Sequence, residues 1–89
     1  MKIKDGYKLK HIAGEDIIIP LADKTKLVNG IFRLNEQGVE LFNIFSESGA
    51  TKDDAAKYLI DTYGISYEQA TEDVEEFVQM LKKFNMIED

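Results

Sequence analysis

The pattern of the chain changes from strand to helix within one short segment, Gly30-Ile31-Phe32-Arg33-Leu34-Asn35-Glu36-Gln37-Gly38. Its first half places Phe32 and Leu34 on one face of a strand and Ile31 and Arg33 on the other. Its second half begins a helix, because Asn35 is a favoured N-cap and the acid after it suits the helix dipole. We therefore predict a strand that ends at residue 34, with Phe32 and Leu34 towards the core.

The sequence before this segment predicts strands. We expect a hairpin between residues 7–12 and 16–20, with its turn at Ala13-Gly14, because β-branched and alternating side chains flank the turn. A further strand is expected at residues 26–28, joined to residues 31–34 through Asn29-Gly30, a strong two-residue hairpin signal. The first third of the chain thus predicts an antiparallel sheet of three to four strands.

The sequence after this segment predicts three helices. The first begins after Asn35 and is expected to end at Gly49; the second begins at Thr51 and ends at Gly64. The third opens with a capping box, in which Ser66 and Gln69 would each satisfy a free backbone N–H. The core positions expected on the three helices are Val39, Leu41, Phe42, Ile44 and Phe45; Ala55, Ala56, Leu59, Ile60 and Tyr63; and Ala70, Val74, Phe77, Leu81 and Phe84.

Strands followed by helices in a chain of 89 residues predict one α+β domain spanning residues 1–89. Only Gly64-Ile65 separates the second and third helices, which is typical of a helix-turn-helix pair. The fold class we predict is winged helix-turn-helix-like, with its antiparallel sheet at the N-terminus.

Composition narrows the function. The chain has no cysteine, so it has neither disulfides nor thiolate metal ligands, and a reducing cytoplasm is the expected location. No apolar run approaches the roughly 20 residues needed to cross a bilayer. Eleven basic residues against 17 acidic ones give a net charge of −6, which disfavours binding to a phosphate backbone.

The sequence offers no catalytic constellation. His11 is the only histidine and is expected to be a surface strand residue, while Ser66 is already used as a helix cap. The carboxylates Glu68, Glu72 and Glu76 follow one helix face, for which a solvated surface is the expected role. We therefore expect a protein that is not an enzyme and that carries neither a cofactor nor a metal.

A recurring pattern runs through the chain. Its parts are Asn29-Gly30-Ile31-Phe32-Arg33-Leu34-Asn35-Glu36, Thr51 at a helix start, Asp73-Val74-Glu75-Glu76-Phe77, Leu81, and Met86-Ile87. This pattern resembles the PqqD-like family, whose members are also called RiPP recognition elements, from residue 16 to residue 87. The chain has Phe42 where many members carry a tryptophan in the first helix, which keeps an aromatic ring at that place.

The resemblance implies a non-catalytic adaptor that binds the leader segment of a ribosomally made precursor peptide. In that family the leader adds as a strand beside the third core strand, here residues 31–34, and packs against the third helix, here residues 68–83. A modifying enzyme, often a radical SAM enzyme, then receives the peptide. The contact residues this implies are Leu27, Val28, Ile31, Phe32, Arg33, Leu34, Glu72, Glu76, Val78 and Met80. A leader segment that pairs with a single short strand buries a small interface, so we expect it to bind with micromolar affinity.

Two other functions stay open on the sequence. The helix-turn-helix pair and the lysines of residues 2–10 favour a DNA-binding regulator, although Glu68, Glu72 and Asp73 occupy the helix end that would face DNA. A structural subunit of a larger complex would use the same strand edge to pair with a protein. Without a peptide, we expect a monomer or a weak dimer that pairs edge to edge.

Overall fold

The computed structural model describes residues 1–20, 32–47 and 50–88. Within them the elements follow in the order β1 (Lys2–Ile3), β2 (Tyr7–Ile12), β3 (Glu15–Pro20), β4 (Phe32–Leu34), α1 (Glu36–Ser46), α2 (Lys52–Tyr63), α3 (Tyr67–Lys83) and β5 (Ile87–Glu88). The predicted class, an N-terminal antiparallel sheet followed by three helices, is confirmed.

The predicted hairpin forms between β2 and β3. The two strands are antiparallel, in a register that runs from Tyr7 opposite Pro20 to Ile12 opposite Glu15. Ala13 and Gly14 make the turn with φ values of 52° and 79°, which is the left-handed geometry that a two-residue hairpin turn needs. A glycine at the second position adopts it without the cost that a Cβ atom brings.

The strand before α1 joins this hairpin as the third strand of the sheet. β4 pairs antiparallel with β3, so that the order is β2-β3-β4. Phe32 and Leu34 are half-buried against the core and Arg33 is exposed, as predicted. The strand predicted at residues 26–28 and its Asn29-Gly30 turn lie outside the described residues.

All three helices begin at the predicted caps. Asn35 Oδ1 accepts the Gly38 N–H at 2.8 Å, and Ser66 Oγ accepts the Gln69 N–H at 3.1 Å. At α2 the Thr51 hydroxyl and the Asp54 carboxylate each accept the other's backbone N–H. The expectation that Gln69 completes a capping box is wrong, because the Gln69 side chain makes no bond to the Ser66 N–H; its Nε2 instead donates to Asp73 Oδ1 at 2.7 Å.

The helix ends differ from the prediction in one case. α2 ends at Gly64, which has a φ of 66° and donates its N–H to the Ile60 carbonyl at 2.9 Å, as predicted. α1 instead ends at Ser46 with Glu47 as its C-cap, before the predicted end at Gly49, which lies outside the described residues. The Glu47 N–H bonds the Asn43 carbonyl at 3.1 Å in extended backbone, so no left-handed residue is needed there.

The core lies between the sheet and the three helices. Its fully buried large side chains are Ile18, Leu41, Phe45, Leu59, Val74, Val78, Leu81 and Met86. Phe77 and Phe84 are only half-buried at its border. Tyr63, predicted in the core, is 36% exposed, because its hydroxyl donates to the surface carboxylate Glu40 Oε2 at 2.5 Å.

A second small sheet joins the two ends of the chain. β1 pairs antiparallel with β5, with Ile3 opposite Ile87, and the Lys4 N–H bonds the Met86 carbonyl at 2.8 Å. Two-residue strands carry too little pattern to be found in the sequence. Among the described residues, no helix combines the length and the apolar character that crossing a membrane requires.

Candidate functional site

A groove lies where β4, the first turns of α1 and the middle of α3 meet. It encloses about 260 Å³. Its described lining residues are Arg33, Leu34, Asn35, Gln37, Gly38, Leu41, Asp73, Glu76, Phe77 and Met80. The strand-to-helix segment therefore forms one wall of the groove, and α3 forms the other.

The close approach of α1 to β4 depends on a glycine. Gly38 is buried one turn into α1, and a Cβ atom there would lie 3.2 Å from Leu34 Cβ and 3.2 Å from Asn35 Oδ1. Both contacts would be tighter than ordinary van der Waals distances. The capped turn can therefore close directly behind Leu34, which keeps the strand and the helix on the same side of the groove.

Two aromatic contacts hold the walls and the floor. The rings of Phe32 on β4 and Phe84, which follows α3, meet edge to face at 4.5 Å between centroids and 63°. The ring of Phe77 stacks on fully buried Phe45 at 6.5 Å. The first contact connects the strand to the far end of α3, and the second fixes the floor to the core.

The polar rim is built around Asp73. Its Oδ2 accepts from Gln37 Nε2 at 3.1 Å, and its Oδ1 accepts from Gln69 Nε2 at 2.7 Å. The half-buried carboxylate is thus held by amides of α1 and α3. Across the groove, Arg33 Nε lies 3.2 Å from Glu15 Oε2 of the neighbouring strand, an exposed ion pair of small energetic worth.

β4 contributes Arg33 and Leu34 to the lining of this groove. β4 is paired with β3 through residues Asp16 to Ile18, and in the part of the chain that is described no strand pairs with its opposite edge. An unpaired edge presents backbone N–H and C=O groups that an extended peptide can bond. The arrangement combines such an edge with an apolar floor and a polar rim.

The structure brings together only part of the contact set predicted from the sequence. Arg33, Leu34, Glu76 and Met80 line the groove, and Phe32 adjoins it through its contact with Phe84. Leu27, Val28 and Ile31 lie outside the described residues.

Two of the predicted contact residues are placed elsewhere. Val78 is 0% exposed, because it lies on the core face of α3, so it presents no surface to a ligand. Glu72 lies one turn before Glu76 on α3, beside Tyr67 and Thr71, and does not line this groove.

Sequence reasoning missed Asp73, Phe77 and Gln37 as groove residues. On α3 a signal was present, since positions 73, 76, 77 and 80 recur at helical spacing and form a stripe beside the core stripe. For Gln37 no signal was available, because its role depends on where α3 lies relative to α1.

The perturbed titratable groups lie away from this groove. A hydrogen bond from Lys52 Nζ, 2.7 Å from Glu75 Oε2, lowers the pKa of Glu75 and connects α2 to α3.

The histidine of the chain also lies away from the groove: His11 is 2.9 Å from Asp16 on the exposed part of the hairpin. No group of three or more His, Cys, Asp or Glu side chains within residues 1–20, 32–47 and 50–88 is arranged to hold a metal ion.

The fold is winged-helix-like, and the groove lies beside β4, whose second edge is not paired by any strand within residues 1–20, 32–47 and 50–88. The chain matches the family of Coenzyme PQQ synthesis protein D (PqqD) over residues 17–87, and it belongs to that family. The resemblance noted in the sequence is thereby confirmed. A search among curated proteins finds no significant match.

Two solved structures share the fold. The first, "TbiB1 in Complex with the TbiA(beta) Leader Peptide", is 20% identical, with a TM-score of 0.76 over 99% of this chain and 95% of that one. The second, "Lasso peptide synthetase B1 complexed with the leader peptide", is 14% identical, with a TM-score of 0.72 over 96% of this chain and 93% of that one. At these identities the similarity establishes the fold.

Proposed function

We propose that this protein binds the leader segment of a ribosomally synthesised precursor peptide and presents it to a modifying enzyme, without catalysing a reaction itself. The observation that carries the proposal is the edge of β4 that no described strand pairs, beside a groove floored by Leu41, Phe77 and Met80. Membership of the PqqD family supports it, and so do the two fold neighbours, each of which was solved with a leader peptide.

The binding mode we propose is strand addition. The leader would pair with the outer edge of β4 and place alternate side chains between the strand and α3. Backbone hydrogen bonds would then supply affinity that is independent of sequence, and the apolar floor would select the side chains that enter. A short segment held in this way is expected to bind with micromolar affinity.

The partner enzyme, the cellular location and the oligomeric state are part of the same proposal. The family resemblance favours a radical SAM enzyme as the recipient of the peptide and the cytoplasm as the location. In the absence of a leader, an edge of β4 that no described strand pairs favours a monomer or a weak edge-to-edge dimer.

The charge of the chain argues against the alternative of a DNA-binding regulator. The net charge is −6, and α3 exposes Glu68, Glu72 and Glu76. A recognition helix in a major groove would bring these carboxylates towards phosphates. A mobility-shift assay at low salt tests this directly, and retention of duplex DNA that falls steeply with salt would favour the regulator.

Leader binding can be tested with the leader of any short precursor peptide found in the same gene neighbourhood. A fluorescent leader peptide is titrated with wild-type protein, Met80→Lys and Gln79→Lys, and binding is followed by polarisation. The two variants add the same charge at adjacent positions of α3, but only Met80 lines the groove. We expect a micromolar Kd for wild type and Gln79→Lys, and at least tenfold weaker binding for Met80→Lys, because a charge enters the apolar floor.

Circular dichroism of both variants controls for folding. If both substitutions weakened leader binding equally, the binding site would not be the groove. No binding by wild-type protein at about 100 μM, well above the expected Kd, would contradict the proposed function.

A further inference from the structure

The described lining of the groove carries more negative than positive charge, with two carboxylates against one cation. Asp73 and Glu76 both line it, and the two side chains that bond Asp73 are neutral amides. Glu76 is exposed and has no hydrogen-bond or ion-pair partner within the described part of the chain. Two carboxylates therefore face the space that a bound peptide would occupy.

The nearby basic groups do not neutralise this charge. Arg33 is the only cation among the described lining residues, and its Nε lies 3.2 Å from Glu15 Oε2. Lys83 lies over the Phe84 ring, with Nζ 5.6 Å from the centroid. Seven residues separate Lys83 from Glu76, which is roughly 10 Å along a helix and about one Debye length in physiological salt.

The apolar part of the floor lies next to the acidic part at a spacing that fits a strand. Along α3 the acids Asp73 and Glu76 each precede an apolar lining residue, Phe77 and Met80, by four positions. Four helical residues rise about 6 Å, and two residues of an extended strand span about 6.6 Å. A strand bound beside α3 would therefore bring side chains i and i+2 opposite the apolar and the acidic part.

We propose that the groove selects leader segments in which a lysine or arginine stands two positions from a large apolar residue. The apolar side chain packs on Phe77 and Met80, and the basic one reaches the carboxylates of Asp73 and Glu76. Because the amides of Gln37 and Gln69 already hold Asp73 in place, little side-chain freedom remains to be lost there when the cation binds. This selectivity rests on the proposed function, since it describes the peptide that the groove takes.

The test is selection from a displayed library of random 12-residue peptides. Wild-type protein, Glu76→Lys and Glu68→Lys are used as separate baits. Glu68 lies on the same helix but does not line the groove, so its variant controls for the change in net charge. We expect wild type and Glu68→Lys to enrich a basic residue two positions from an apolar one, and Glu76→Lys to lose that enrichment.

A peptide selected in this way is then used to measure how much its basic residue contributes to affinity. Replacing its basic residue by glutamine should weaken binding to wild type about two- to fivefold at low salt, as expected for a solvent-exposed charge pair. The same replacement should have little effect on binding to Glu76→Lys, and its effect on wild type should shrink in 0.5 M salt, where the Debye length falls to about 4 Å.

The outcomes separate this inference from the proposed function. Selected peptides that compete with the leader for the groove but show no basic preference would overturn the inference and leave the proposed function standing. Enrichment that is identical for Glu76→Lys and wild type would also overturn it. A library that yields no binders, together with a leader that fails to bind, would contradict both.

Discussion

The contact between Phe32 and Phe84 joins β4 to the end of α3. The two rings meet edge to face at 4.5 Å, and both side chains are half-buried. No other aromatic pair in the described part of the chain connects a strand to a helix. This contact therefore helps to set how far β4 lies from α3, and with it the width of the groove.

The energy of this contact can be measured with a double-mutant cycle. We expect Phe32→Ala and Phe84→Ala to destabilise the protein separately, and their combination to cost about 1 kcal/mol less than the sum, because the rings interact with each other. Urea unfolding of the four proteins gives the coupling. Free energies of unfolding that add to within about 0.3 kcal/mol would show that the rings act independently.

Single residues of α3 show what periodicity can and cannot predict. The helical spacing correctly placed Val74 and Leu81 in the core, whereas the family resemblance implied Val78 as a peptide contact. Val78 is fully buried, whereas Phe77 lies at the border and lines the groove. Neighbouring positions of a helix differ by about 100°, so the identity of each face depends on the exact place of the core stripe.

At the scale of elements, the starts of the helices were predictable and some ends were not. Asn35, Thr51 and Ser66 each cap a helix through a bond to a backbone N–H three residues later, which is a local pattern. The end of α1 at Ser46 follows no such signal, and β1 and β5 gain their structure from pairing across the whole chain. Local chemistry can be read from sequence, whereas pairing between distant segments depends on the fold.

The cap of α2 provides a direct stability prediction. Thr51→Ala removes the hydroxyl that accepts the Asp54 N–H at 3.0 Å, so we expect a loss of about 1 kcal/mol in the free energy of unfolding. Thr62→Ala, an exposed change near the other end of α2, is the matched control and should alter stability by less than about 0.5 kcal/mol. If Thr51→Ala and Thr62→Ala changed the free energy of unfolding in urea equally, the Thr51 cap would make no specific contribution to stability.

The same cap predicts a dependence on pH. Hydrogen bonds from Thr51, first from its backbone and then from its side chain, lower the pKa of Asp54 below its usual 3.8. A lowered pKa in the folded state means that the ionised carboxylate contributes stability above pH 3.8, and that this contribution disappears as the pH falls through the lowered pKa.

Urea unfolding from pH 7 to pH 2 therefore compares wild type with Asp54→Asn. We expect the advantage of wild type to be constant at neutral pH and to shrink below pH 3.8. Glu75, whose pKa is also lowered, is present in both proteins, so its contribution cancels in the difference. A difference that stays unchanged down to the lowest pH would show that the charge of Asp54 does not support the cap.

At the scale of the whole molecule, the groove exists only because two distant parts of the chain meet, the strand-to-helix segment and the middle of α3. The strand at 32–34, the start of α1 and residues 73–80 of α3 form its walls and floor. The sequence predicted the strand, the capped turn and the helix, and the family resemblance implied that strand and helix act together. It did not predict the bond between Gln37 and Asp73, because such a contact requires the distance between two helices.

The central claim is that a leader peptide adds as a strand to the edge of β4. Amide hydrogen exchange, followed by NMR with and without the leader, tests this most directly. We expect the amides of β4 that do not bond β3 to gain protection on binding, with shift changes at residues 73–80 of α3. Binding that leaves exchange across Phe32–Leu34 unchanged and shifts residues elsewhere would contradict the claim.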